Sequence, residues 1–335
     1  MSKNLSANLN NAKSAKKDDF YTQLDTIENE LRHYKDHFND KVVYCNCDDP
    51  KNSNFFHYFS HNFEKLGLKK LITTCYKNNQ LNLFSKNNSQ HAIKLIYSGD
   101  KNGNKVPDVE EIGVTRLKGD GDFRSQECID ILKEADIVVT NPPFSLFRDY
   151  IKQLIDFDKK FIIIGSINAV TLKDVYPLIH TNKVWWGVSL DGRNVWYEVP
   201  NSYEKSHKEV DGKKFAFVAG TIWYTNLDYK KRYDELVLVK KYYGNETLYP
   251  EYDNYNAIAV NRVINIPKDY KGVMGVPLTF LNKYNPNQFE IIGSDVYINN
   301  GNLPELIKKD WKGKIDRAYL DGRRLFSRIF IKNKF

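Results

Sequence analysis

Four consecutive residues have the types and the order needed to orient a planar ring that carries an amino group. Asn141, Pro142, Pro143 and Phe144 directly follow the apolar run DIVVT at 136–140. The amide oxygen of Asn141 and the carbonyl oxygen of Pro142 offer one acceptor for each proton of an exocyclic amine. The two prolines stiffen the chain that holds these acceptors. The Phe144 ring can stack on the face of a base.

This set of groups matches the needs of methylation at the N6 amine of adenine. That amine is a poor nucleophile because its lone pair is delocalised into the ring. Two acceptors that form hydrogen bonds with both amine N–H groups favour a pyramidal nitrogen whose lone pair points at an electrophile. Such a site works by orientation and electrostatics, and it needs neither a strong base nor a covalent intermediate.

The elements that must position this motif are predicted from alternating apolar and helical patterns. Strands are predicted at 42–46, 69–75, 112–117, 136–140, 160–166 and 183–189, and helices at 53–65, 125–135, 144–157 and 171–180. We also expect a hairpin that pairs 92–98 with 105–111 around Asn102-Gly103, and a last strand within 216–228. The alternation predicts an α/β fold with a doubly wound, mainly parallel sheet. Ligands of such sheets bind beyond the carboxyl ends of the strands, where the NPPF motif lies.

Charge is unevenly distributed along the 335 residues. Residues 229–335 contain 19 Lys and Arg and 12 Asp and Glu, a net charge of +7 out of +8 for the whole chain. We therefore predict a flexible basic arm at 1–17, a catalytic domain at 18–228 and a region at 229–335 that meets a polyanion.

Several protein classes do not fit the sequence. No apolar run has the length of about 18 residues that a membrane span needs, and the first 19 residues have no apolar segment typical of a secretory signal. The four cysteines show neither paired CxxC spacing nor a matching set of histidines, so we expect no metal site. A cytoplasmic protein is expected.

The wider pattern resembles the EcoRI-type DNA adenine-N6 modification methyltransferases, which use S-adenosylmethionine. The segments that carry the resemblance are DDFYTQ (18–23), VVYCNCDDP (42–50), SNFF (53–56), GDGDFRS (119–125), DIVVTNPPFSLF (136–147), TNLD (225–228), YPEYDNY (249–255) and GVMGVPLTFLNKYNP (272–286). NPPF alone is shared by several methylase families, whereas these segments in this order are specific. The resemblance implies a Rossmann-like methyltransferase sheet followed by a C-terminal target-recognition domain.

The resemblance also implies residues that bind S-adenosylmethionine. The N-terminal segment contributes Phe20, Tyr21 and Thr22 near the methionine end, and the loop after the first strand contributes Asn46, Asp48 and Asp49. Asp122 is expected at the adenine amino group of the cofactor, with Phe123 beside the ring. The chain departs from the common pattern because it has no glycine between 42 and 66 and no acid after the second strand, where Tyr76 is the alternative contact to the ribose.

The implied substrate is double-stranded DNA, from which the target adenine is flipped out. The expected DNA contacts form the densest basic cluster, which comprises Lys308, Lys309, Lys312, Lys314, Arg317, Arg323, Arg324 and Arg328. We expect a monomer that protects DNA at the nucleoid against a separately encoded cognate restriction endonuclease. Two alternatives remain at this stage: a methyltransferase for RNA adenine or a protein amide, and a catalytically silent DNA-binding protein that keeps the fold.

Overall fold

The computed structural model describes residues 22–47, 53–76, 92–104, 107–108, 111–191, 195–199 and 208–335. The α-helices are α1 (Leu24–Leu31), α2 (Asn54–His61), α3 (Phe63–Leu66), α4 (Gln126–Glu134), α5 (Phe147–Asp156), α6 (Tyr176–His180) and α7 (Asp295–Asn299). The strands are β1 (Val42–Cys45), β2 (Lys70–Thr74), β3 (Ile93–Tyr97), β4 (Gly113–Arg116), β5 (Ile137–Thr140), β6 (Lys160–Ser166), β7 (Trp185–Asp191), β8 (Val195–Val199), β9 (Lys208–Val210), β10 (Lys213–Val218), β11 (Thr221–Thr225), β12 (Ile258–Ala259), β13 (Met274–Pro277), β14 (Phe289–Ser294), β15 (Tyr319–Leu320), β16 (Arg323–Arg324) and β17 (Arg328–Asn333). Short 3-10 helices cover Lys35–His37, Phe144–Leu146, Ile167–Thr171, Lys230–Tyr233, Glu246–Leu248, Val263–Asn265, Leu278–Lys283 and Pro304–Leu306.

Eight strands form the main sheet in the order β4-β3-β2-β1-β5-β6-β11-β7. The four central strands β2, β1, β5 and β6 pair in parallel, while β3, β4 and β11 pair antiparallel to their neighbours. All four residues of β1 and all four of β5 are buried, as expected for apolar strands in the middle of an α/β sheet. The parallel centre confirms the predicted α/β class and is consistent with a Rossmann-like methyltransferase fold.

Two predictions for the edges of the sheet are wrong: one strand pairing and the extent of one strand. β3 pairs with β4 at Gly113–Arg116 and not with a strand at 105–111, so a longer connection replaces the predicted tight hairpin. The predicted strand at 216–228 is two strands: β10 joins a separate three-stranded sheet with β8 and β9, and β11 joins the main sheet. Gly220 between them has φ +68°, a conformation that glycine adopts without strain and that ends β10.

Serine caps begin the two helices that follow the loops of the expected cofactor site. The Ser53 hydroxyl accepts a hydrogen bond from the Phe55 N–H at 3.2 Å before α2. The Ser125 hydroxyl accepts one from the Cys128 N–H at 3.3 Å before α4. Each cap satisfies one N–H that the first helical turn leaves without a partner, and so fixes where the preceding loop ends.

The chain divides into two compact units. The first comprises Met1–Ser166 and Gly187–Leu227, and the second Ile167–Trp186 and Asp228–Phe335. The second unit contains a four-stranded sheet in the order β12-β13-β17-β14. Its core includes the fully buried side chains of Tyr252, Tyr255, Ile298, Ala318 and Phe330. Within the described residues, no helix combines the length and apolar character needed to cross a lipid bilayer.

Candidate active site

The NPPF motif lies at the carboxyl end of β5, in the middle of the main sheet. Asn141 is 7% exposed and Pro142 is buried, whereas Pro143 and Phe144 are half-buried. The Pro143 carbonyl accepts the Leu146 N–H at 2.9 Å and so closes the 3-10 turn that leads into α5. Among the residues that the structure describes, the Pro142 carbonyl accepts no hydrogen bond. It is therefore available as a backbone acceptor for a substrate amine.

A side-chain hydrogen bond joins this motif to the end of the neighbouring parallel strand. The Thr140 hydroxyl, directly before Asn141, donates to the backbone carbonyl of Asn46, which directly follows β1. Both residues are buried, with Thr140 at 0% and Asn46 at 6% exposure. The structure therefore brings Asn46 and Asn141, which are predicted from separate segments, to adjacent strand ends.

Tyr150 on α5 makes a second connection to the same residue. Its hydroxyl donates to Oδ1 of Asn46, and its ring is 1% exposed. Burial raises the pKa of Tyr150 well above that of an ordinary tyrosine, so the phenol keeps its proton and serves as a donor. Asn46 is thus held through both its backbone and its side chain.

Phe123 is fixed by the same helix. Its ring meets Tyr150 edge to face, with the ring centroids 5.0 Å apart, and its backbone carbonyl accepts a hydrogen bond from Gln153 Nε2 at 3.0 Å. Phe123 is 7% exposed. One side of α5 therefore positions two of the expected cofactor residues, Asn46 and Phe123, at once.

The loop that carries Asp122 lies against the end of β2. Gly121 has φ +78°, and a Cβ there would lie 2.0 Å from the carbonyl oxygen of Cys75, so only glycine permits this approach. Arg124 Nε and Nη2 donate to the two carboxylate oxygens of Asp122 at 2.8 and 2.6 Å. This bidentate pair lowers the pKa of Asp122 and keeps its carboxylate ionised. Tyr76, next to Cys75, is 52% exposed.

Thr22 is buried but not satisfied. Its carbonyl accepts a hydrogen bond from Asn54 Nδ2 at 2.7 Å at the start of α2. Its hydroxyl is inaccessible to water and has no hydrogen-bond partner among the described residues. A buried hydroxyl without a partner is costly, and a bound polar group would satisfy it. Four other expected cofactor residues, Phe20, Tyr21, Asp48 and Asp49, lie outside the described residues, as does the predicted basic arm at 1–17.

The eight basic residues expected to contact DNA differ in their surroundings. Four are exposed and form no ion pair with another described residue: Lys309, Lys312, Lys314 and Arg323. Three are engaged with acids: Lys308 with Glu251 at 3.1 Å, Arg317 with Asp295 at 3.9 Å, and Arg324 with Asp316 at 2.6 Å. Arg328 is 7% exposed and donates to backbone carbonyls, so its guanidinium has a structural role inside the second unit.

Sequence reasoning missed Thr140 and Tyr150. A threonine at the end of a buried strand is common, and Tyr150 falls on the buried stripe of α5 with Phe147, Ile151 and Leu154. The sequence signal that could have identified Tyr150 is its hydroxyl, which lies on the otherwise apolar stripe of α5 within two helical turns of NPPF. Only the pairing of β1 with β5 reveals what that hydroxyl meets.

Comparison with known proteins gives relatives over nearly the whole chain. Type II methyltransferase M.EcoRI of Escherichia coli is 48% identical over 331 residues, which cover 97% of this chain and 96% of that protein. Type II methyltransferase M.MgeORF184P of Mycoplasma genitalium is 40% identical and Type II methyltransferase M.MpnI of Mycoplasma pneumoniae 36%, each over 334 residues that cover 97% of this chain and 98% of the relative. No solved structure matches the chain.

The profile of the family described as "Adenine-specific methyltransferase EcoRI" matches residues 8–334. This match confirms the resemblance drawn from the motifs, among them the NPPF motif at the carboxyl end of a central parallel strand. The chain belongs to the adenine-specific methyltransferase EcoRI family and is a DNA adenine methyltransferase.

Proposed function

We propose that this enzyme methylates the N6 amine of an adenine that is flipped out of duplex DNA, as the modification enzyme of a restriction–modification system. The observation that carries the proposal is the link between Thr140 and Asn46. It fixes the acceptor-rich NPPF turn beside the end of the first parallel strand, at the edge where α/β sheets bind ligands. A cognate endonuclease, a monomeric state and a cytoplasmic location at the nucleoid belong to the same proposal.

The mechanism assigns each residue of NPPF a separate task. The Asn141 side-chain oxygen and the Pro142 carbonyl each accept a hydrogen bond from one N6–H group of the flipped adenine. Phe144 stacks on the ring. The pyramidal nitrogen then presents its lone pair. After methyl transfer the amine is cationic and acidic, and it releases one proton to solvent water. The rate comes from orientation and preorganised acceptors in a buried turn.

Methyltransferase membership implies S-adenosylmethionine, and the residues present fit it. When bound, it supplies the electrophilic methyl group. Thr22 offers a buried hydroxyl without a partner, Asn46 a side chain fixed by Tyr150, and Phe123 an immobilised ring. The pair with Arg124 keeps Asp122 ionised. Its Oδ1 accepts two hydrogen bonds from Arg124 and its Oδ2 one, so Oδ2 retains a lone pair for an adenine amino group. Phe20, Tyr21, Asp48 and Asp49 remain in the proposal from the sequence resemblance.

We assign the first DNA contacts to the exposed cations of the second unit. Lys309, Lys312, Lys314 and Arg323 are exposed, and a phosphate contact would break no ion pair between these residues and the described acids. Lys308, Arg317 and Arg324 must exchange an acidic partner for a phosphate, which reduces their net contribution.

The test is to express the full chain in a host that lacks adenine methylation and to map methylated adenines across its genome by single-molecule sequencing. We expect one short sequence motif to be methylated at N6 at nearly every occurrence, and Asn141→Ala to abolish the signal. Methylation confined to RNA or protein, or none in a host that accumulates the folded chain, would contradict the proposal.

A further inference from the structure

Phe326 is the most exposed large hydrophobic side chain in the described part of the molecule, with 86% of its surface accessible. It lies two residues after β16, the second strand of the hairpin that β15 and β16 form. Single exposed hydrophobic residues are common on protein surfaces and by themselves mean little. The backbone around Phe326, however, is held by several hydrogen bonds, which distinguishes it from an ordinary exposed loop.

The backbone is anchored on both sides of the exposed ring. The Leu325 N–H donates to the Ala318 carbonyl at 2.9 Å, which closes the base of the hairpin. Arg328 Nη1 donates to the carbonyls of Phe326 and Ser327 at 3.2 and 3.4 Å. These hydrogen bonds fix the backbone on both sides of Phe326, while its phenyl group is exposed to water.

Arg328 is itself fixed by buried groups of the second unit. It begins β17, and its backbone N–H donates to Asp295 Oδ2 at 3.1 Å. Its Nη2 donates to Asn261 Oδ1 at 3.3 Å. Arg328 and Asp295 are 7% and 0% exposed, so the support under Phe326 is a buried polar network and not a mobile surface chain.

The segment that carries Phe326 has a net positive charge, since residues 308–328 contain eight Lys and Arg against three acids, Asp310, Asp316 and Asp321. Arg323 is exposed on β16, and Trp311 packs against Tyr319 of β15, with ring centroids 5.4 Å apart. This contact places the loop that carries Lys312 and Lys314 against the hairpin. A rigid apolar tip among cations suits DNA, because the cations meet phosphates while the ring meets stacked bases. The positive charge favours this occupant over a second copy of the same basic chain.

We propose that Phe326 is a wedge that inserts into the base stack of the bound duplex, and that Arg328 is the positioning residue that holds it. The inference rests on the proposed function, since it takes duplex DNA as the partner. Insertion separates neighbouring base pairs, and unstacked pairs make extrusion of the target adenine less costly.

The test compares methyl transfer to two duplexes that contain the site mapped by sequencing. In one the target adenine is paired, and in the other it faces an abasic position, which removes the pairing that extrusion must break. We expect Phe326→Ala to lower kcat/KM on the paired duplex about tenfold or more and to have little effect on the abasic one. Phe326→Leu should retain most activity, because an aliphatic wedge also inserts. The matched control is Phe335→Ala, which removes another exposed phenyl group, 70% accessible.

Each other outcome is informative. An unchanged kcat/KM for Phe326→Ala, an equal loss on both duplexes, or the same loss in Phe335→Ala overturns the wedge. A change in oligomeric state of Phe326→Ala by light scattering, without the duplex-dependent loss, assigns the ring to a protein contact and also overturns it. If the wild-type enzyme methylates neither duplex, the proposed function itself fails, whereas an active wild type with an unaffected variant refutes the wedge alone.

Discussion

The hydroxyl of Tyr150 donates a hydrogen bond to Oδ1 of Asn46, 104 residues earlier in the chain. The bond joins the helix that follows NPPF to the end of β1, where the proposed cofactor loop begins. Thr140 joins the same two segments through the Asn46 carbonyl. The NPPF segment and the segment proposed to bind the cofactor thus share one buried residue, Asn46, as a common support.

Tyr150→Phe should weaken cofactor binding more than it slows turnover. The change removes the strong donor to a buried amide oxygen and leaves it only the weak Cys47 thiol donor at 3.6 Å, so we expect the S-adenosylmethionine Kd to rise about tenfold by isothermal titration. Tyr34→Phe is the matched control, because it deletes another buried hydroxyl bond, to Glu30 at 2.8 Å, within α1 and its following turn. Equal cofactor affinities in wild type and Tyr150→Phe would contradict this role of Asn46.

Thr140→Val should lower kcat about tenfold with little change in shape, since valine is nearly isosteric and lacks the donor to the Asn46 carbonyl. The effect arises from a looser NPPF turn and is measured in single-turnover methyl transfer. Thr225→Val provides the comparison: its hydroxyl donates to the Phe161 carbonyl at 2.7 Å in the same sheet. A loss of the same size in both variants would indicate general destabilisation of the sheet in place of positioning.

Asp295 predicts a pH dependence of stability. Burial raises the pKa of Asp295 to about 6 from its ordinary 3.8, although Arg317 opposes the shift. Because the folded state holds the proton more tightly than the unfolded state, this contribution to stability is complete below pH 3.8 and is lost as the pH rises through about 6.

The measurement is urea unfolding of wild type and Asp295→Asn at several pH values. The variant does not titrate, so the free energy of unfolding of the wild type should fall relative to it by about 2 kcal/mol between pH 4 and pH 7. Parallel pH profiles for the two proteins would show that Asp295 is not protonated more readily in the fold.

The exposed lysines predict the salt dependence of DNA binding. Each phosphate contact contributes about 0.9 to the slope of log K against log salt concentration, so Lys312→Ala with Lys314→Ala should reduce the slope by about 1.8. Lys133→Ala is the control, since this exposed lysine pairs with Asp130 at 3.1 Å in the first unit. An unchanged slope in the double variant would show that the loop with Lys312 and Lys314 does not contact DNA phosphates.

The sequence predicts the centre of this fold well and its edges poorly. Buried strands such as Ile137–Thr140 are short apolar runs bounded by polar residues, so the position of Asn141 at a strand end followed from local pattern alone. The strand Ile93–Tyr97 was assigned the wrong partner because register across a long connection depends on tertiary packing. Tyr150 was missed for the same reason, since its partner Asn46 lies on a distant segment.

The basic cluster shows a different limit. Composition located the excess charge correctly, but it could not distinguish the exposed Arg323 from the buried Arg328, five positions along the chain. Burial of an arginine depends on which carbonyls and carboxylates the fold places around it, here those of Phe326, Ser327 and Asp295. Sequence alone therefore does not distinguish the exposed cations of this cluster from the buried one.

The most direct measurement is single-turnover methyl transfer by Asn141→Ala at saturating S-adenosylmethionine and duplex DNA. Loss of one preorganised acceptor predicts a decrease in rate of about 1,000-fold or more, while the Kd for cofactor and for DNA stay within about threefold of wild type. A rate within about tenfold of wild type under the same conditions would contradict the assignment of Asn141 as the acceptor that orients the adenine amine.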